Sequence, residues 1–260
     1  MQSLTIRLPL AALTLAGAAL APPAASAASD LQGWYIGLDA QQSRVERAAQ
    51  TTLGGFWTSE SEALRGFVGA LDSGTRRDSD IGWNLHAGYQ HAAGERWLLG
   101  VDFGLDSGGA RVDAGQGPAT FAFGGGTVDY TTQATFELER LLSLRGMVGL
   151  RVGESQALHA SLGVARADVL ATTGLTSAGG YAKAGRFDGS RSGLQWGLGW
   201  RMALNERWSL RAEWLQTDLG DITIENAYLP GSTFTDPAYT ERYRIEAELR
   251  QLRVGVSYRF

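Results

Sequence analysis

The sequence predicts an all-β chain: an eight-stranded antiparallel up-and-down transmembrane β-barrel with four long extracellular loops. Three observations carry this. From Leu31 onward apolar residues recur with period two, not 3.6. The links between the alternating runs are short and long in turn. Tryptophan and other aromatics gather near the ends of the runs.

The runs follow in order. Trp34, Ile36, Leu38 and Ala40 alternate with Tyr35, Gly37, Asp39 and Gln41. Ile81, Trp83, Leu85, Ala87 and Tyr89 oppose Gly82, Asn84, His86, Gly88 and Gln90. Trp97, Leu99, Val101, Phe103 and Leu105 oppose Leu98, Gly100, Asp102, Gly104 and Asp106. Leu142, Leu144, Gly146, Val148 and Leu150 oppose Ser143, Arg145, Met147, Gly149 and Arg151. Leu158, Ala160, Leu162 and Val164 oppose His159, Ser161, Gly163 and Ala165. Leu194, Trp196, Leu198, Trp200 and Met202 oppose Gln195, Gly197, Gly199 and Arg201. Trp208, Leu210, Ala212 and Trp214 oppose Ser209, Arg211 and Glu213. Leu252, Val254, Val256, Tyr258 and Phe260 close the chain against Arg253, Gly255, Ser257 and Arg259. Each run has about the 9–11 residues that a tilted membrane strand needs. Short links are expected at 92–95, 153–156 and 205–206, and long ones near 42–80, 107–137, 168–192 and 219–247.

Composition fits. The 260 residues carry a formal charge of −4, which gives no ground for a nucleic-acid partner. Cysteine is absent, so a disulfide framework and Cys-ligated metal are excluded. Lys183 is the only lysine. Residues 1–27 read as a signal peptide: Arg7 supplies the positive start, an apolar stretch follows, and Ala25-Ser26-Ala27 fits a cleavage site. Residues 28–260 are then the outer-membrane β-barrel domain, with no appended periplasmic domain expected.

Periodicity leaves the inward face open, and a soluble lipocalin-like barrel is the rival orientation. The aromatic ends favour lipid outside. Trp34, Trp97, Trp208, Tyr258 and Phe260 would form a girdle at the short-turn side, and Trp83 and Trp214 one toward the loops. The other face then lines a narrow lumen. It holds Asp39, Asp102, Asp106, Arg145, Arg151, Arg201, Arg211, Glu213, Arg253 and Arg259. Eight strands enclose only enough room for side chains, so a salt-bridge plug is expected rather than a selective constriction. Loss of one partner by Arg211→Ala should then lower the melting temperature without opening a large conductance.

The strand motifs also carry a family resemblance. Gly33-Trp34-Tyr35-Ile36-Gly37, Arg207-Trp208-Ser209-Leu210-Arg211-Ala212-Glu213-Trp214 and Arg253-Val254-Gly255-Val256-Ser257-Tyr258-Arg259-Phe260 resemble strands of the small opacity-type and Omp25-like outer-membrane proteins, within the OmpA-barrel-like superfamily. The first strand departs from that pattern at Asp39-Ala40-Gln41-Gln42. The resemblance implies insertion by the outer-membrane assembly machinery, with Val254, Val256, Tyr258 and Phe260 as the assembly signal.

Candidate chemistry is sparse. His86 and His159 fall on the lumen face, and His91 near the periplasmic turn. Ser161 near His159 could mimic a nucleophile pair, but no orienting acid is identifiable. Loop one carries apolar segments around Leu53–Trp57 and Leu64–Leu71 that could pack on the rim or meet a partner. Gly124-Gly125-Gly126 lacks the Lys-Ser/Thr of a phosphate loop. Asp218, Asp221, Glu225, Asp236, Glu241, Glu246 and Glu248 suggest a solvated acidic rim more than a calcium site. The expected function is a non-enzymatic outer-membrane barrel, without cofactor, that contributes to envelope structure and presents its loops to a surface ligand or host partner. A small-solute porin and a lipid A-modifying enzyme are the alternatives.

Overall fold

The computed structural model describes residues 31–260; the expected leader and its cleavage site lie outside them. Eight staves close into a ring. They are β1 (Gly33–Gly55), β2 (Gly74–Ala93), β3 (Trp97–Asp106) with its continuations β4 (Ala110–Asp113) and β5 (Gln116–Phe123), β6 (Gly126–Val152), β7 (Gln156–Ser177), β8 (Ala182–Ala203), β9 (Trp208–Glu225) and β11 (Tyr239–Arg259). The two-residue β10 (Ala227–Tyr228) pairs with the top of β8. Every pairing is antiparallel, and the ring shuts where β11 pairs with β1 from Tyr35↔Arg259 to Gly55↔Tyr239. Closure removes the unpaired edges that hydrocarbon does not tolerate. The three short turns are where the alternating runs break, and Gly94 and Gly153 supply positive φ in two of them.

The staves are longer than the sequence reading expects. β1 has 23 residues, β6 has 27 and β11 has 21, roughly twice what a membrane crossing needs. Most of each predicted long loop is therefore strand. Of the expected link at 42–80, only the segment between β1 and β2 leaves the sheet, as a 3₁₀ turn (Phe56–Ser59) and helix α1 (Glu62–Leu71). The link expected at 168–192 shrinks to a tight turn between β7 and β8.

The physical reason lies in the two faces. In the lower half the outward residues are apolar and exposed: Trp34, Ile36 and Leu38 on β1, Leu142, Leu144 and Val148 on β6, Leu252, Val254 and Val256 on β11. From Leu142 to Val152 this band rises about 25 Å at ~3.3 Å per residue and ~40° tilt, the height of an outer-membrane hydrocarbon zone. In the upper half the same strands turn charged groups outward, such as Arg44, Arg242 and Arg244, and apolar groups inward. Val45, Phe136, Val169, Ile222, Ile245 and Leu249 belong to one buried cluster. The apolar side changes face because the surroundings change from lipid to water, while the strand itself continues.

Two β-bulges complicate the parity. One extra residue in β6 between Leu138 and Arg140, and one in β9 opposite Glu246 and Glu248, shift which positions point inward. Gly220, at φ 68°, makes the left-handed turn of the second bulge. Above the cluster a cap closes the extracellular end. α1 starts at Ser61, whose hydroxyl accepts from the Leu64 amide. Leu64, Phe67, Val68 and Leu71 lie on one helical face and pack with Trp57, Tyr130, Leu175 and Tyr181. The apolar segments of loop one thus fold onto the rim.

Candidate functional site

The interior is filled in layers. At the periplasmic end Leu31, Leu98, Ala157 and Ala203 pack together. Next comes a charged layer to which all eight staves contribute. Asp39 comes from β1, Asn84 and His86 from β2, Asp102 and Asp106 from β3, Arg145 from β6, His159 from β7, Arg201 from β8, Arg211 and Glu213 from β9, Arg253 and Ser257 from β11. All of these are buried.

Arg211 is the hub. Its Nε and Nη2 donate to the two Asp39 oxygens at 3.1 and 2.5 Å, and its Nη1 to Asp102 at 3.2 Å. This is the planar, forked geometry that suits arginine to crowded carboxylates. Arg145 bridges Asp102 at 2.5 Å and Glu213 at 3.2 Å. The Tyr35 hydroxyl donates to Asp102 at 2.8 Å, and His159 Nε2 sits 2.8 Å from Glu213. One step toward the outside, Arg253 donates to both oxygens of Asp106 at 2.7 and 2.9 Å. Arg201 stands apart from these ion pairs: it donates to Gln90 at 2.6 Å and lies over the Tyr35 ring. The four buried arginines Arg145, Arg201, Arg211 and Arg253 face the four buried carboxylates Asp39, Asp102, Asp106 and Glu213, so the layer is charge-balanced. Two of the ten residues expected in the lumen do not join it. Arg151 is half-exposed, and Arg259 is half-exposed at the rim, donating to the Glu206 carbonyl at 2.7 Å.

The expected girdle residues lie on the outer wall. Trp34, Trp83, Trp97, Trp208 and Phe260 are exposed, while Trp214 and Tyr258 are half-buried. Trp208, Tyr258 and Phe260 make successive edge-to-face contacts across the β9–β11 seam. Val254 and Val256 point outward between them and the charged loops.

Sequence reasoning missed one constellation. Ser257 Oγ lies 2.9 Å from His86 Nε2, and His86 Nδ1 lies 3.2 Å from Asp39. These are the contacts of a serine–histidine–acid triad. The signal that could have found it is Gly37, directly opposite His86 across the β1–β2 pair. A Cβ there would stand 2.4 Å from the imidazole. Gly199 leaves the same space for His159. The inward glycines therefore mark where large polar side chains lie flat. The triad is nonetheless unsuited to catalysis: all three residues are about 1% exposed, and Asp39 is already committed to Arg211. A fluorophosphonate serine probe is expected to leave the folded barrel unlabelled. Labelling at Ser257, read by peptide mass spectrometry, would show that substrate-sized molecules reach it.

A second buried polar group sits in the extracellular cap. Glu241 accepts from Trp57 Nε1 at 2.6 Å and from the Tyr181 hydroxyl, and pairs with Lys183 at 2.8 Å. Lys183 also donates to the Tyr239 carbonyl at 2.6 Å and lies over the Tyr228 ring. Burial, and then the bond to Glu241, hold the Tyr181 hydroxyl well above its ordinary range. Glu241 is thus a cap tie, not part of a solvated acidic rim, because Lys183 and two ring donors compensate its charge. Nearby, Arg47 pairs with buried Asp72 at 3.3 Å, tying β1 to the end of α1.

Residues 10–260 match the family model described as outer membrane protein beta-barrel domain. A comparison with curated protein sequences finds no match. Among solved structures, the chain is similar to Ail, the attachment invasion locus protein of Yersinia pestis, at 16% identity, over 88% of this chain and 100% of that one, with a TM-score of 0.39. It is similar to the outer membrane protein OprG from Pseudomonas aeruginosa at 13% identity, over 88% and 96%, with a TM-score of 0.45. It is also similar to the outer membrane protease OmpT from Escherichia coli at 8% identity, over 91% and 99%, with a TM-score of 0.46.

Proposed function

We propose that this chain, which belongs to the outer membrane protein beta-barrel domain family and resides in the outer membrane, is a non-conducting, non-enzymatic scaffold that holds a rigid recognition surface above the lipid. One observation carries the reading: the interior is occupied from end to end. A charge-balanced layer fills the membrane half, and an apolar cluster and an aromatic cap fill the extracellular half. A solute would have to displace paired charges and then a close-packed core, each of which costs several kcal/mol.

Within the family, the resemblance of the strand motifs supports reading the chain beside the opacity-type, Omp25-like proteins. In this reading residues 1–27 are removed on secretion and 28–260 form the barrel. The aromatic outer rings sit at the two interfaces of the bilayer, and Val254, Val256, Tyr258 and Phe260 serve the assembly machinery. The rigid upper wall, rather than long mobile loops, meets the surface ligand or host partner.

The test is single-channel recording in planar bilayers. The purified barrel is expected to give no steps above the membrane background, and none after Arg211→Ala. Regular conductance steps from the unmodified protein would overturn the reading in favour of a small-solute porin.

A further inference from the structure

The outer wall changes chemistry in rows. Cross-strand register defines three of them over β9, β11, β1 and β2. The lowest joins Trp214, Leu252, Gln42 and Ile81, and is mostly apolar. Next comes Gln216, Arg250, Arg44 and Ser79, which holds two cations and no acid. Above it lie Asp218, Glu248, Glu46 and Arg77, with three adjacent carboxylates. Same-face positions along a strand are ~7 Å apart, so each row is about one headgroup layer above the last.

The middle row has an unusual feature. Arg44 and Arg250 stand directly opposite one another on the outward face, and like charges in that position repel. Glu248 accepts from Arg250 Nε and Nη2 at long distances of 3.3 to 3.4 Å, and also accepts from Gln216. Glu46, the carboxylate nearest to Arg44 along β1, is taken by both Arg77 nitrogens at 2.7 and 3.0 Å. Arg44 is exposed and has no hydrogen-bonding or ionic partner among the described residues. On β7 and β8 the first outward residues above the last apolar ones are Arg166 and Ser192, again without a carboxylate, whereas Arg140 on β6 stands opposite Asp168, 3.7 Å from it.

We infer that the Arg44–Arg250 pair is a clamp for the phosphate of an outer-leaflet lipid headgroup. Its height fits, because Leu252 and Ile81 just below mark the edge of the hydrocarbon. Its chemistry fits, because two guanidinium groups on opposite strand positions can share one phosphate and end their mutual repulsion. The carboxylate row above supplies the depth stop: it repels a phosphate that rides higher. The lipid is thereby held at the β1–β11 seam where the ring closes.

The test is native mass spectrometry of the refolded barrel in detergent, with phosphatidic acid competing against phosphatidylcholine. The unmodified protein is expected to retain one phosphatidic acid at least fivefold in preference. Arg44→Gln with Arg250→Gln should abolish that preference, and the Arg44→Lys, Arg250→Lys pair should keep part of it. Arg242→Gln with Arg244→Gln, on the same strand but higher, should leave it unchanged. Heat-modifiable gel migration checks that each variant is folded. Equal retention by the glutamine pair would overturn the clamp, as would equal loss in the Arg242, Arg244 control. Displacement by equimolar inorganic phosphate would overturn the assignment to lipid.

Discussion

Arg211→Ala is expected to cost about 3–5 kcal/mol, because it strands Asp39, Asp102 and Glu213 in a closed lumen with one cation removed. At ~2–4 °C per kcal/mol for a domain of this size, the melting temperature should fall by roughly 6–20 °C. The measurement is loss of heat-modifiable migration, or of far-UV circular dichroism, in micelles. A pair of substitutions separates lost charge balance from lost packing. Arg211→Met combined with Asp39→Asn removes one charge of each sign and keeps the volume. It should recover much of the loss, since replacing a buried pair by neutral groups of similar size is often close to neutral. If the single and double variants are equally destabilised, the hub is a packing element and not an electrostatic one.

Phe136→Ala should be as damaging, by a different route. Phe136 is fully buried in the extracellular apolar cluster, above the charged layer. Truncating it removes a ring and leaves a cavity, at a cost of about 3–5 kcal/mol. Phe123, also aromatic but exposed at the β5–β6 hairpin, should cost no more than ~0.5 kcal/mol. Amide exchange gives the finer readout. Protection should fall in β6 from Gly126 to Leu138 and in the upper part of β7, while the lower strands keep theirs. Were Phe136→Ala to behave like Phe123→Ala, the upper cylinder would not be held by its own core.

The two variants also mark how far the sequence could be read. The membrane half was legible because its rule is uniform: even positions of β11 from Leu252 to Phe260 face lipid, and odd ones carry Arg253 and Ser257 inward. The apolar alternation breaks at Arg250-Gln251, where two polar residues adjoin. The strand and its inward parity continue past that break, through Gln251, Leu249, Ala247, Ile245 and Tyr243. Apolar alternation reports contrast with the surroundings, so its phase inverts when the outside becomes water, and an inverted phase looks like the end of a strand. The bulges in β6 and β9 hide the continuation further by moving the buried positions from Leu141 to Leu138 and from Leu219 to Ile222.

The site divides the same way. That Asp39, Asp102, Arg145, Arg211, Glu213 and Arg253 share one face follows from parity, and the aromatic strand ends turn that face inward. Which of them meet follows from register between distant strands. His86 and Ser257 are 171 residues apart and touch only because β2 and β11 both flank β1. Glu241 was misread because it lies in an acidic stretch, and nothing local distinguishes it from its exposed neighbours. Its partners Trp57, Tyr181 and Lys183 come from the β1–β2 link, the β7–β8 turn and the start of β8.

The inverted upper wall also constrains how the protein reaches its final position. Its outward face carries Arg44, Glu46, Arg242, Arg244 and Glu246, and every one must pass the hydrocarbon to stand above it. At ~2.5–3.5 kcal/mol for each charge held at mid-bilayer, a finished cylinder with this exterior cannot cross as a rigid body. Strands that cross before the ring shuts can turn those groups toward a shared, hydrated interior and expose them only on emerging. A route in which the strands cross before the ring shuts avoids that cost, and on such a route the apolar cluster of the upper half packs only once the strands have emerged.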